Sequence, residues 1–146
     1  MTLEELGWDD HHRQDFSAVV GEGLVPARVS QETKINFTAI LGDGEQVDVV
    51  LAGKLWHDAS SDADLPAVGD WVALDMDSGT EPVIRAILPR RTKFSRKAPG
   101  KCAEEQVIAC NVDAVVVVTD PGEDFNIRRL ERFHALIARS GAVPVV

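Results

Sequence analysis

Between Leu24 and Leu88 the apolar residues recur at every second position in short runs. Val25, Ala27 and Val29 alternate with polar neighbours, and Ile35, Phe37, Ala39 and Leu41 alternate with Lys34, Asn36 and Thr38. Val47, Val49 and Leu51 repeat the pattern beyond a Gly42-Asp43-Gly44 turn. A period of two sends successive side chains to opposite faces, so each run predicts a half-buried strand. After an acidic, turn-rich connection from Gly53 to Gly69, two more strands are expected over Asp70–Met76 and Pro82–Leu88, joined by Asp77-Ser78-Gly79. Five short antiparallel strands at this spacing suit a small closed or nearly closed barrel. The OB-fold leads, and an SH3-like barrel has a similar strand count.

The segments on either side follow other rules. Residues 1–23 are polar with scattered Leu3, Leu6, Trp8 and Phe16, and read as an arm or short helix in which His11 and His12 are solvated. Residues 89–103 hold Pro89, Pro99 and Gly100 among basic side chains, and read as a basic linker or exposed loop. Glu104 to Ala109 suggests one or two helical turns. Ala114 to Thr119 is a continuous β-branched run, the pattern of a strand buried on both faces of a parallel sheet. Asp120-Pro121-Gly122 ends it, and Asp124 or Asn126 is placed to cap a helix. That helix carries Ile127, Leu130, Phe133, His134, Leu136 and Ile137 on one stripe and has Gly141 at its end. Ala142 to Val146 begins another strand. Residues 104–146 thus predict a β-α-β unit, the incomplete start of an α/β nucleotide-binding domain following the barrel at 24–88.

The formal charge of the 146 residues is −9, which by itself argues against nucleic acid as a partner. The distribution reverses that reading for one segment. Residues 1–84 hold 4 basic and 17 acidic side chains, whereas residues 85–101 hold 7 basic and none acidic. Clustered positive charge is what a phosphate backbone requires, because each neutralised phosphate releases a counterion. Arg90, Arg91, Lys93, Arg96, Lys97 and Lys101 are therefore candidate RNA contacts, with Phe94 among them as a base-stacking aromatic. A solvated linker offsetting the acidic body explains the same run. Trp71 reads as a core or barrel-rim aromatic; Trp56 and His57 stay ambiguous.

Several classes are excluded. No apolar run is long enough to cross a membrane as a helix. Cys102 and Cys110 lack zinc-ligand spacing, and the absence of an export signal points to the cytoplasm. No G-x-x-x-x-G-K-[S/T], G-x-G-x-x-G, G-x-S-x-G or H-E-x-x-H occurs, so no catalytic, nucleotide-binding or metal-binding residue is assigned to this chain.

Four stretches then carry a family resemblance. They are Pro66-Ala67-Val68-Gly69-Asp70-Trp71-Val72; Leu88 to Lys97; Glu104-Glu105-Gln106-Val107 with Asn111-Val112-Asp113; and Asp124-Phe125-Asn126-Ile127-Arg128-Arg129-Leu130-Glu131-Arg132. In this order they resemble the circularly permuted, ribosome small-subunit-dependent GTPases of the RsgA/YjeQ type. The resemblance runs from about Gly23 to Val146. It implies an OB-fold, a P-loop-type GTPase domain with permuted motifs, and a zinc-binding domain after it. It further implies GTP and Mg as cofactors of the parent protein, Zn in its C-terminal domain, and the small (30S) subunit and its 16S rRNA as partners in late maturation. A monomer with no membrane contact is expected. Ala114 to Val146 match the elements that precede the guanine-specificity motif Asn-Lys-x-Asp, so this motif, the phosphate loop and the zinc ligands are expected beyond Val146. On that reading the chain alone neither binds nor hydrolyses GTP. The acidic barrel departs from what an RNA-docking domain is expected to carry, which leaves the edge bearing the basic stretch as the expected contact. The alternative is a stand-alone, non-enzymatic OB module that binds nucleic acid or protein.

Overall fold

A computed structural model describes residues 1–19, 21, 23–33, 36–97, 104–120, 122 and 125–146. The chain divides into two compact units, Met1–Arg90 and Arg91–Val146.

The first unit is the barrel. Its strands are β1 (Leu24–Glu32), β2 (Phe37–Ile40), β3 (Gln46–Leu51), β4 (Trp71–Asp75) and β5 (Val83–Ile87). They close in the order β1-β2-β3-β5-β4, with β4 returning to β1. The expected all-antiparallel arrangement needs one correction: β3 and β5 run parallel, pairing Val50 with Val83 and Leu51 with Ile84. The reason is geometric. Directions cannot alternate all the way round a ring with an odd number of strands, so one neighbouring pair must run the same way. Bulges between Val29 and Gln31 and between Ala73 and Leu74 add the local bend that closure requires. Pro26 is tolerated in β1 because the pairing with β2 begins only at Arg28.

The alternating residues meet inside. Ala27, Val29, Phe37, Ala39, Val49, Leu51, Val72, Leu74 and Ile84 form one buried cluster, with Leu55 and Leu65 packed against it. Ala27 pairs with Val72, and Ala39 with Val47, so small residues face larger ones across the narrow interior. Each fully buried Val, Leu, Ile or Phe contributes about 1.5–3 kcal/mol relative to exposure. Leu55 belongs to α2 (Gly53–Asp58), a short helix between β3 and β4 that leaves Trp56 exposed on its outer side.

The N-terminal arm is structured and joins this unit. It contains α1 (Asp10–Val19), and Trp8 packs with Trp71 and Leu88 while Leu3, Leu6 and Phe16 surround them. The Trp8 and Trp71 rings meet edge to face at 4.8 Å between centroids. Solvation of His12 is overturned: it is 2% exposed, stacked on Trp8 at 5.6 Å and lying 5.4 Å from Trp71. Its Nδ1 stands 2.8 Å from Asp9 Oδ1, and its backbone N–H donates to the same oxygen at the start of α1. Adjacent His11 stays exposed, because neighbouring helix positions point about 100° apart. The Arg28 guanidinium lies over Trp71 and donates to the carbonyls of Gly69 and Leu6.

The second unit holds two small sheets. β6 (Lys93–Lys97) and β7 (Glu105–Cys110) form an antiparallel pair. A strand thus stands where a linker or loop is expected, and a second where helical turns are expected at Glu104–Ala109. Val107 and Ile108 favour extended backbone, and the partner strand supplies ladder bonds that no local pattern displays. Next come β8 (Ala114–Val116), α3 (Ile127–Ser140) and β9 (Val143–Val145), with β8 and β9 parallel as the β-α-β pattern requires. Asn126 caps α3 by accepting from the Arg129 N–H at 3.1 Å; Gly141 ends the helix in the left-handed region at φ 89°. Asp124, the other candidate cap, lies outside the described residues. Val116, Val118, Val143 and Val145 remain exposed around the two-stranded β8–β9 sheet.

Two predictions follow from the barrel unit, and Trp8, Trp56 and Trp71, all within it, report its unfolding by fluorescence. Asp70 is fully buried and paired with Arg90, so Asp70→Ala leaves a largely buried guanidinium without its counter-charge. Urea unfolding is expected to show a loss of about 3–5 kcal/mol. Glu32 has its carboxyl pushed above the usual range by desolvation, then by Asp62 and Asp70, with Arg90 opposing. The folded state therefore holds the Glu32 proton more tightly than the unfolded chain, and stability from this group rises as pH falls. Glu32→Gln is expected to raise the midpoint slightly at neutral pH, and the gain should vanish once pH drops below the ordinary glutamate value.

Candidate nucleic-acid interface

The seven basic side chains of residues 85–101 have distinct positions and partners. Arg85 Nε and Nη2 both donate to Asp75 Oδ2, at 3.0 and 2.7 Å, and this fork holds the Asp75 carboxyl below the usual range. Arg90 is committed further. Its Nε and Nη2 reach the buried Asp70 carboxylate, the latter at 2.7 Å, and the same guanidinium donates to the carbonyls of Ala63 at 2.6 Å and Leu65 at 2.7 Å. This planar fork is spent inside the barrel unit, so Arg90 leaves the set of candidate contacts.

Arg91, Lys93, Phe94, Arg96 and Lys97 belong to the second unit. Lys101 lies outside the described residues. Arg91 is exposed at the entrance to β6, where its backbone N–H donates to Asn111 Oδ1 at 2.9 Å. Asn111 holds a positive φ of 52°, a region that Asn tolerates better than other side chains. Thr92 closes the same end: its hydroxyl accepts from the Val112 N–H and donates to the Val112 carbonyl, each at 2.8 Å. The Asn111-Val112-Asp113 stretch thereby anchors the start of the basic strand.

Along β6 the side chains alternate. Lys93 and Ser95 share one face, where both reach Glu105: Lys93 Nζ at 3.0 Å and Ser95 Oγ at 2.6 Å. Arg96 points to the other face and donates through Nε to Gln106 Oε1 at 3.1 Å. Gln106 is neutral, so it orients the guanidinium without cancelling its charge. Lys97 is exposed at the strand's end, in register with Glu105. Phe94 is half-buried opposite Ala109. The exposed positive charge of this segment is carried by Arg91, Arg96 and Lys97, with Lys93 partly offset by Glu105. Charge counting missed Glu105 and Gln106 because they lie about ten residues along the chain; a strand pairing over 93–97 and 105–110 was the signal required.

The sequence has no phosphate-loop motif, and among the described residues no group of three His, Cys, Asp or Glu side chains is placed to hold an ion. No helix of the described residues is long and apolar enough to cross a membrane.

Comparison with known proteins gives the context for this arrangement. No family model matches the chain. The small ribosomal subunit biogenesis GTPase RsgA of Opitutus terrae is 43% identical over the whole chain, and that of Syntrophotalea carbinolica is 40% identical. In both cases the chain spans 42% of the relative's length. The chain corresponds to the N-terminal part of the RsgA family. Among solved structures, YjeQ from Thermotoga maritima superposes with a TM-score of 0.60 at 20% identity, covering 83% of this chain and 39% of that one. YloQ, described as a circularly permuted GTPase, matches at 0.60 and 18%, covering 84% and 39%. At these identities the likeness concerns the fold. The RsgA-type sequence stretches map onto the turn before β4, the β6–β7 pair with Asn111, and the capped start of α3.

Glu105→Gln removes the carboxylate that holds Lys93 and Ser95. Because the ion pair is solvent-exposed, stability is expected to change by less than about 1 kcal/mol in urea unfolding. Affinity for a short RNA at low salt is expected to rise, as measured by fluorescence anisotropy.

Proposed function

We propose that this protein is a GTPase acting in late maturation of the small ribosomal subunit, and that its basic hairpin β6–β7 contributes to docking on 16S rRNA. The identity of 40–43% to RsgA relatives over the whole of this chain, which spans 42% of their length, carries this reading. The exposed cations at Arg91, Arg96 and Lys97 support the docking role, since phosphate contacts position a protein on RNA through Lys and Arg. Hydrolysis of GTP, with Mg, belongs to groups outside these 146 residues, and a zinc-binding domain is assigned there as well. The protein acts as a monomer in the cytoplasm.

Two measurements test this. The 146-residue chain should show no saturable binding of a fluorescent GTP analogue up to about 100 μM, a range chosen against typical enzyme affinities; saturation near micromolar concentration would contradict the assignment of nucleotide chemistry elsewhere. Arg91→Gln/Arg96→Gln/Lys97→Gln should weaken binding to purified small subunits. It should also lower the slope of log affinity against log salt by about 2–3, at roughly 0.7–0.9 per lost phosphate contact. An unchanged slope would remove the hairpin from the interface.

A further inference from the structure

We infer that the outer face of α3 is a second RNA-backbone surface, formed by Arg128, Arg132 and Arg139. The inference rests on the second unit's own geometry and does not depend on the hairpin reading. At about 100° per residue the three arginines fall within about 40° of one another around the helix, over about 16 Å of its length. Ile137, fully buried, and Leu130, half-buried, lie about 140–180° from the three arginines, so the arginine row is opposite the side that packs inward. All three arginines are exposed, and none has an ion-pair partner among the described residues. Glu131, the one acidic residue of α3, sits at the edge of the row.

The chemistry of this face selects its partner. Ala135 is the side chain between Arg132 and Arg139 on the row, and the exposed apolar residues of the helix, Ile127 and Phe133, lie about 120° round from its centre, so the row itself offers no apolar anchor of the kind that dominates protein–protein interfaces. It offers planar guanidinium forks on a rigid helix, which suit phosphate oxygens. Asn126, Arg128, Glu131, Arg132 and Ala135 line an open depression at the helix start. At the other end, the helix reaches the start of β6: a Cβ built on Gly141 would stand 3.4 Å from Thr92 Cγ2.

The test uses the full chain and a mixed-sequence 20-nucleotide single-stranded RNA, followed by anisotropy between 50 and 300 mM salt. Arg128→Gln/Arg132→Gln/Arg139→Gln is expected to lower the salt slope by about 2, at roughly 0.7 per phosphate on single strands. The Lys triple variant is expected to retain most of the parental slope, because a phosphate contact accepts either cation. Arg96→Gln/Lys97→Gln, measured alongside, reports the hairpin separately. Parental affinity and slope in the Gln variant overturn the inference. So does a Lys variant as weak as the Gln variant, which marks a structural role, or a parental preference for a polyglutamate peptide over the RNA, which marks an acidic protein partner.

Discussion

The buried pairing of Asp70 with Arg90 is the interaction on which the barrel unit depends. Asp70 has no solvent exposure, and its carboxylate accepts from the Ala67 N–H at 2.8 Å as well as from the Arg90 fork. Arg90 in turn reaches the carbonyls of Ala63 and Leu65. One ion pair thus ties together the long connection after α2, the turn into β4 and the residues that leave β5. Two desolvated charges are costly, and the arrangement is tolerable because each carries additional hydrogen bonds. The Gly69-Asp70-Trp71 turn places the neighbouring residue, Trp71, under Trp8 and His12, so the same short segment also anchors the N-terminal arm.

This pairing explains why a run of basic residues is a poor guide to a surface. The seven cations of residues 85–101 look equivalent as a charge count. Arg85 and Arg90 neutralise carboxylates of the barrel unit, Lys93 is offset by Glu105, and Arg91, Arg96 and Lys97 are exposed. Strand alternation separates Arg96 from Lys93 across the two faces of the β6–β7 pair. The acidic excess of the first 84 residues, 17 acidic side chains against 4 basic, contrasts with the exposed cations of the second unit.

Much of the barrel was legible in the sequence because its strands are amphipathic: period-two alternation with Gly and Asp turns marks strands wherever one face is buried. The cap at Asn126, the stop at Gly141 and the hydrophobic stripe of α3 were legible for the same local reason. The β6–β7 pair was not. β6 is mostly polar and bordered by breakers, and the apolar run Val107-Ile108-Ala109 of β7 is continuous rather than alternating, so no period of two appears. His12 was unreadable from its neighbours, since its burial comes from Trp8 and from Trp71, some sixty residues away.

The sequence by itself determined the β-rich barrel, the β-α-β order that follows it and the likeness to RsgA-type GTPases. These follow from periodicity, capping and motif order, which are local properties. The tertiary structure decided which cations are available. A guanidinium at Arg90 and another at Arg96 are chemically alike in sequence. Only the fold sets a buried carboxylate beside one and a neutral amide beside the other, and it is the electrostatic partner that determines whether a positive charge can still meet a phosphate.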